Sequence, residues 1–269
     1  RQVRYLVHAR LQQTALRQRI TIHTTSSSPA QLLMDISTKY RILTHLPLLQ
    51  GLSGQDLARL EESHGLEMEL IPSSSVALLN QGDVCTHLIL VATGVLRRRH
   101  TTADGRLSIQ SIIETPVAIE PESLYGLHCH YQNSYYAESE LQTISIRKND
   151  VGKHLMNHPI FRYNLLNYLS AIVHKQGVLM EPTPRTTVDQ KFLHLLTTLC
   201  REDETDIKIN VKMNDLALYL EETRLTVSRM LNRLDRTKAI QISRSTICIP
   251  SLKLIREHIY GTGSTVTHM

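Results

Sequence analysis

No stretch of this sequence approaches the roughly 18 uninterrupted apolar residues of a membrane-spanning helix, and its N-terminal part lacks the apolar core of a secretory signal. A cytoplasmic protein with no membrane association is expected. The four cysteines, Cys85, Cys129, Cys200 and Cys248, lie far apart and form no CxxC pair. That spacing argues against zinc fingers, an iron–sulfur cluster with local ligands, or a disulfide scaffold, and leaves isolated buried thiols. Basic residues are missing from an entire internal segment: between Arg106 and Arg147 there is no Lys or Arg, while Glu114, Glu120, Glu122, Glu138 and Glu140 all fall there.

What is present is enough chain for a core. The 269 residues are 41% apolar, which suits one large or two ordinary domains. The net charge of +5 is unevenly spread: residues 1–41 balance at +6, residues 42–184 at −4 and residues 185–269 at +3. The last segment is therefore mildly basic, which is consistent with a nucleic-acid partner.

Within it, residues 213–234 carry the most informative pattern. Leu216, Ala217 and Leu220 form one short apolar face, and Val227, Met230, Leu231 and Leu234 form another at i, i+3, i+4, i+7. Two helices this short bury their faces only against each other and a third element, and Ala217 is small where they must cross. Arg224, Thr226, Ser228, Arg229, Asn232 and Arg233 are left facing outward on the second helix. These are side chains that bind base edges and phosphates. Residues 240–249 alternate at period two around a polar turn at Ser243 to Ser245, the pattern of a β-hairpin wing.

Upstream, residues 1–31 are basic and polar and end in a Ser/Thr run before Pro29, a flexible arm. Helical spacing is expected over 31–49 and 53–64, with Ser53 as N-cap. From 66 to 146, short runs of Val, Ile, Leu and Thr are punctuated by turn residues at roughly ten-residue intervals, which predicts an antiparallel barrel or jelly roll. Residues 158–179 return to helical periodicity, with Pro159 suited to the first turn. Phe161, Leu165, Leu169, Ile172, Val173 and Gln176 lie on or near one stripe, a candidate homodimer seam. Glu181-Pro-Thr-Pro184 stops this helix as a hinge. A helix over 187–200 and a strand over 207–211 follow. The expected fold class is α+β, and the expected divisions are arm 1–31, barrel with flanking helices 32–155, dimerisation helix and hinge 156–182, winged helix-turn-helix 183–258, and tail 259–269.

Barrel, long helix and winged helix-turn-helix in this order resemble the Crp/Fnr superfamily of bacterial transcription regulators, over Tyr40 to Arg256. The carriers are Leu46-Pro-Leu-Leu-Gln-Gly-Leu-Ser53, Gln81-Gly-Asp-Val-Cys-Thr-His-Leu-Ile-Leu-Val-Ala-Thr-Gly94 with its turn glycines, and Thr223-Arg-Leu-Thr-Val-Ser-Arg229. The resemblance implies a cyclic-nucleotide-binding-like sensor jelly roll and a homodimer that reads double-stranded DNA at a near-palindromic site, with RNA polymerase as a further partner if it activates. On that pattern Thr223 caps the recognition helix, Arg224 and Arg229 contact guanine, Thr226 and Ser228 complete the reading face, and Arg233 contacts a phosphate. Leu225 stands where the family usually has Glu, which exchanges a cytosine contact for a thymine methyl. Lys212, Arg236 and Arg244 are assigned to phosphates. Glu221 stands where the turn commonly has Gly with φ > 0, at a cost on the order of 1 kcal/mol.

Family members that hold a cyclic nucleotide use an Arg and a hydroxyl residue on its phosphate. Here Tyr131 and Gln132 align with them, and the segment has acids but no base, so cyclic AMP is not expected. No cofactor and no resident metal are expected. Haem or another small-molecule effector stays open, with His87, His100, His128, Cys129 and His130 as available ligands. A cupin-like carrier or enzyme is the competing reading, but no ligand cluster at suitable spacing supports catalysis, and no catalytic residues are assigned.

Overall fold

The computed structural model describes residues 41–62, 65–180 and 187–261, with the side chains of 60, 61 and 175–180 also left out. The expected arm, most of the first predicted helix, the Glu181 to Pro184 hinge and the end of the tail lie outside these residues. Of the helix expected over 31–49, the described part is helical over residues 41–45 and then turns, as the proline at 47 requires. The next helix, α1 (Gly54–Glu62), starts where Ser53 predicts it. The Ser53 Oγ accepts from the Asp56 backbone N–H at 3.2 Å, and the Asp56 carboxylate accepts from Ser53 N–H at 3.1 Å, a reciprocal cap. The serine hydroxyl, and then its backbone N–H, hold the Asp56 carboxyl below its usual range.

The predicted antiparallel roll is present. Its strands are β1 (Leu66–Ile71), β2 (His87–Thr93), β3 (Val95–Thr101), β4 (Leu107–Glu114), β5 (Val117–Ile119), β6 (Ser134–Ala137) and β7 (Leu141–Arg147). One sheet has the order β1-β7-β2-β5. Alternation sends Leu88 and Leu90 of β2 and Ile144 and Ile146 of β7 inward, where they meet Leu96, Ile113 and Leu141 in one core. Gly94 joins β2 to β3 with φ 106°, and a Cβ there would stand 2.3 Å from the Glu140 carbonyl oxygen. Only glycine fits this turn.

A long helix, α2 (Pro159–Met180), leaves the roll with proline in its first turn. Beyond it come α3 (Val188–Leu199), β8 (Thr205–Val211), α4 (Met213–Tyr219), α5 (Arg224–Arg236), β9 (Gln241–Ser243), β10 (Thr246–Ser251) and α6 (Leu252–Tyr260). Thr187 and Gln190 make a capping box at the start of α3. The last helix runs two residues into the expected tail.

The second sheet has the order β6-β3-β4-β8-β10-β9. It therefore begins in the roll and ends in the wing. Strand β4 pairs antiparallel with β8 from Leu107↔Val211 to Ile112↔Thr205. The side chains follow the backbone: Leu107 and Ile109 of β4 are buried with Phe192, Ile207, Ile209 and Leu231 in the second core. Sequence reading anticipated both modules but not the strand pairing that fuses them.

Candidate nucleic-acid interface

The helix-turn-helix is built as its apolar spacing requires. Leu216, Ala217 and Leu220 on one side and Val227, Met230, Leu231 and Leu234 on the other are all buried. Between the helices Glu221 takes φ 52°, the left-handed conformation expected of that position. Its neighbours brace the turn: the Glu222 N–H donates to Ala217 O at 3.0 Å, and Lys191 Nζ lies 2.6 Å from Glu222 Oε1.

Helix α5 begins at a real cap. Thr223 is extended, its Oγ1 accepts from the Thr226 N–H at 3.1 Å, and the two threonine hydroxyls lie 2.8 Å apart. Thr226 is thus half-buried and spent on the cap. Thr223→Ala is expected to lower the unfolding free energy by about 1 kcal/mol, read by urea denaturation, with Thr223→Ser nearly neutral. An unchanged midpoint in the alanine variant would show the cap to be idle.

Past the cap, Arg224, Leu225, Arg229, Asn232, Arg233 and Arg236 are exposed and Ser228 is half-buried, along one stripe of α5. Leu225 is 60% exposed, an apolar side chain held out to solvent in the middle of this polar face. Lys212 is exposed just before α4, and Arg244 is exposed in the two-residue turn between β9 and β10, at the tip of the wing. The wing turn is tied back to the sheet where the Val211 N–H donates to Ser245 O at 3.1 Å. Arg233 differs from the other cations. Its guanidinium grips both oxygens of Asp189 at the start of α3, so it joins two helices rather than standing free for a phosphate. Arg224, Arg229, Arg236, Lys212 and Arg244 have no ion-pair partner among the described residues.

The expected seam on α2 is redistributed by packing. Phe161 and Leu165 are buried in the core of their own roll, and Leu169 packs against it. Ile172 is half-buried and Val173 exposed, while the Gln176 side chain lies outside the described residues. The outward apolar line is instead Tyr163, Leu166 and Val173, beside Ile160. A stripe on a 22-residue helix shows that something covers it, not which side is covered by the same chain.

Inside the roll, the five glutamates of the base-free segment separate. Glu114, Glu122, Glu138 and Glu140 are exposed, and Glu138 pairs with Arg97 at 3.2 Å. Glu120 alone is buried, accepting from Gln132 N–H at 2.6 Å, Asn133 Nδ2 at 2.5 Å, Tyr135 Oη at 3.0 Å and Ser123 Oγ at 3.2 Å. The acids of this segment therefore do not gather in one cleft. Tyr131 is buried, its hydroxyl 3.3 Å from His87 O and its phenol pushed well above the ordinary tyrosine range by burial. Gln132 is exposed.

The interior does hold a cation, supplied by β3. Arg98, inward on the same face as Leu96, is 6% exposed. Its Nη1 donates to Asn133 Oδ1 at 2.9 Å, and its Nη2 donates to Leu199 O at 2.8 Å and Glu204 Oε2 at 2.7 Å. Glu204, just before β8, is fully buried. Sequence reading missed both residues, although strand alternation from Leu96 marks position 98 as inward.

The candidate haem and metal ligands do not converge. His87 is beside Thr86 Oγ1, His100 beside Gln132 O, Cys129 beside Gly126 O, and His128 and His130 are exposed. Among the described residues no three His, Cys, Asp or Glu side chains gather as metal ligands. Nor is any described helix long and apolar enough to cross a membrane.

Residues 190–257 match the Crp-like helix-turn-helix domain family. Among solved structures, the chain is similar to the catabolite activator protein of Thermus thermophilus at 20% identity and TM-score 0.45, over 80% of this chain and 99% of that one. It is similar to DNR from Pseudomonas aeruginosa at 18% identity and TM-score 0.39, over 81% and 96%. A third is the c-di-GMP responsive global regulator CLP of Xanthomonas campestris, at 13% identity and TM-score 0.43, over 74% and 100%. No curated protein matches the chain.

Proposed function

From a Crp-like helix-turn-helix domain at residues 190–257 we infer that the chain is a DNA-binding transcription regulator of the Crp/Fnr type, acting as a homodimer on a near-palindromic operator. The observation that carries this reading is the exposed stripe of α5, where Arg224, Leu225 and Arg229 stand beside a capped helix N-terminus with no ion-pair partner for either guanidinium among the described residues. Unpaired arginines on a buried-backed helix can reach base edges without first breaking an ion pair, and each bidentate guanine contact is worth about 1–3 kcal/mol of discrimination. Leu225 replaces a carboxylate contact to cytosine with an apolar contact to a thymine methyl. Lys212, Arg236 and Arg244 serve phosphates, and Arg233 serves α3 before it serves DNA.

The homodimer reading rests on α2. Tyr163, Leu166 and Val173, with Ser170 between them, repeat at alternating spacings of three and four residues, the seam of a two-stranded coil. Two protomers joined there present two recognition helices to successive major grooves, about 34 Å apart. The sensor roll is read as closed to cyclic AMP, because Tyr131 and Gln132 put no cation where the family holds the phosphate, and the Glu120 carboxylate is taken up by four donors of the chain itself. RNA polymerase is a further partner if the protein activates, and a cytoplasmic location fits this role.

Selection of bound sequences from random DNA tests the reading directly. The full chain should return a near-palindrome that departs from the family's common half-site at the Leu225 position. Arg229→Ala should relax preference at one base pair per half-site by about 1–3 kcal/mol, whereas Arg244→Ala should weaken all sequences alike and reduce the salt slope by about one. No enrichment with the full chain, or an enriched site that both variants bind unchanged, would remove α5 as the reader.

A further inference from the structure

The link between Arg98 and Glu204 is incomplete in a specific way. Glu204 Oε2 accepts from Arg98 Nη2 at 2.7 Å and from Ser111 Oγ at 2.9 Å. Its second oxygen, Oε1, is buried with no hydrogen-bond partner among the described residues. The guanidinium is likewise divided: Nη1 goes to Asn133, Nη2 is shared with the Leu199 carbonyl, and Nε reaches only 3.4 Å from Ser111. A guanidinium fork matches an oxyanion best when two N–H groups meet two oxygens. Here one carboxylate oxygen is held and the other is desolvated for nothing.

The same point is where the shared sheet is irregular. The β4–β8 register shifts between Gln110 and Ile112, so that Ser111 stands at the break, and Asp206, on the unpaired stretch of β8, takes φ 46°, a left-handed conformation uncommon outside glycine, asparagine and aspartate. Thr205, the neighbour of Glu204, is the last β8 residue paired with β4. Withdrawing Glu204 therefore opens the ladder from an end that is already weak.

We propose that Arg98, Ser111 and Asn133 form an anion site in the roll whose internal occupant is Glu204, and that a small oxyanion effector, carboxylate or phosphate, displaces Glu204 and frees β8 from β4. The effector meets both N–H directions of the fork, which Glu204 does not, and it binds only the released state. That differential affinity is what shifts the equilibrium. Release of β8 carries the helix-turn-helix with it, because β8 and β10 share a ladder from Thr205 to Asn210. Tyr219 Oη, 3.0 Å from Asp104 Oδ1 in the β3–β4 turn, is a second contact that opens in the same movement.

Hydrogen exchange on the full chain tests this without DNA. Sodium phosphate or sodium acetate, against sodium chloride at matched ionic strength, should speed exchange of the 107–112 and 205–211 amides about tenfold and leave β2 and β7 unchanged. Glu204→Gln keeps the size but removes the charge, so its ladder should exchange faster before any anion is added, and phosphate should saturate at lower concentration. Glu204→Ala leaves a carboxylate-sized gap beside Arg98, so acetate should raise its melting temperature more than that of the wild type. Equal behaviour of acetate, phosphate and chloride across all three proteins would overturn the proposal. Failure of the selection experiment above, with these responses intact, would count against the DNA reading alone.

Discussion

Arg98→Met is expected to lower the unfolding free energy of the full chain by about 3–5 kcal/mol, among the largest losses available to a single substitution here. The cause is the carboxylate left behind. Glu204 is 0% exposed, and among the described residues its Oε1 has no hydrogen-bond partner, so without the guanidinium its carboxylate keeps the Ser111 hydroxyl and the more distant charge of Arg201. The second member of the experiment separates charge from packing. Arg98→Met combined with Glu204→Leu removes both charges, and most of the lost stability should return, because an apolar pair of similar volume often replaces a buried ion pair at little cost. Urea denaturation followed by circular dichroism gives both values. Equal losses in the single and double variants would mean that the site depends on shape rather than on the ion pair.

Ile109→Ala is expected to cost about 2–5 kcal/mol, and the place where the loss appears matters more than its size. Ile109 belongs by sequence to the roll, yet it is fully buried beside Phe192, Ile207 and Ile209 of the C-terminal module. Two positions along the same strand, Ser111 lies at the junction, and Ile113 beyond it joins the roll's own core. Truncation at 109 should therefore raise hydrogen exchange in β8 and β10, and truncation at 113 should raise it in β2 and β7. If both variants loosened the same strands, the two cores would be one, and the division between them would have no energetic meaning.

Local pattern made much of this architecture legible. The i, i+3, i+4, i+7 spacing from Val227 to Leu234 placed α5 and its buried face, and the alternation around Ser243 to Ser245 placed the wing. Turn residues every ten or so positions marked the roll. Gly94 and Glu221 were readable because a turn demands a backbone conformation of one residue. What stayed hidden depends on partners far along the chain. Strand β8 alternates Ile207, Ile209 and Val211, which reads as half-buried without saying that β4 lies beside it. Arg98 and Glu204 are 106 residues apart, and neither has a local signature. The run Arg97-Arg-Arg99 looks like a solvated face, yet the period of two turns its middle member inward while Arg97 and Arg99 lie over the Tyr136 ring at 5.2 and 4.8 Å. The span between Arg106 and Arg147 has no cation, and the buried one comes from the preceding strand. On α2, periodicity identified a covered stripe, but only packing divided it between the roll, which takes Phe161 and Leu165, and the outward line of Tyr163, Leu166 and Val173.

The shared sheet also sets an order of assembly during synthesis. Strand β4 is complete nearly a hundred residues before β8 emerges, and until then its outer edge has unpaired N–H and C=O groups above the apolar side chains of Leu107 and Ile109. Such an edge is a template for pairing with another chain. The β8 strand is thus the cover for an opening made earlier, and a chain interrupted anywhere between Glu114 and Thr205 carries that edge open to its neighbours.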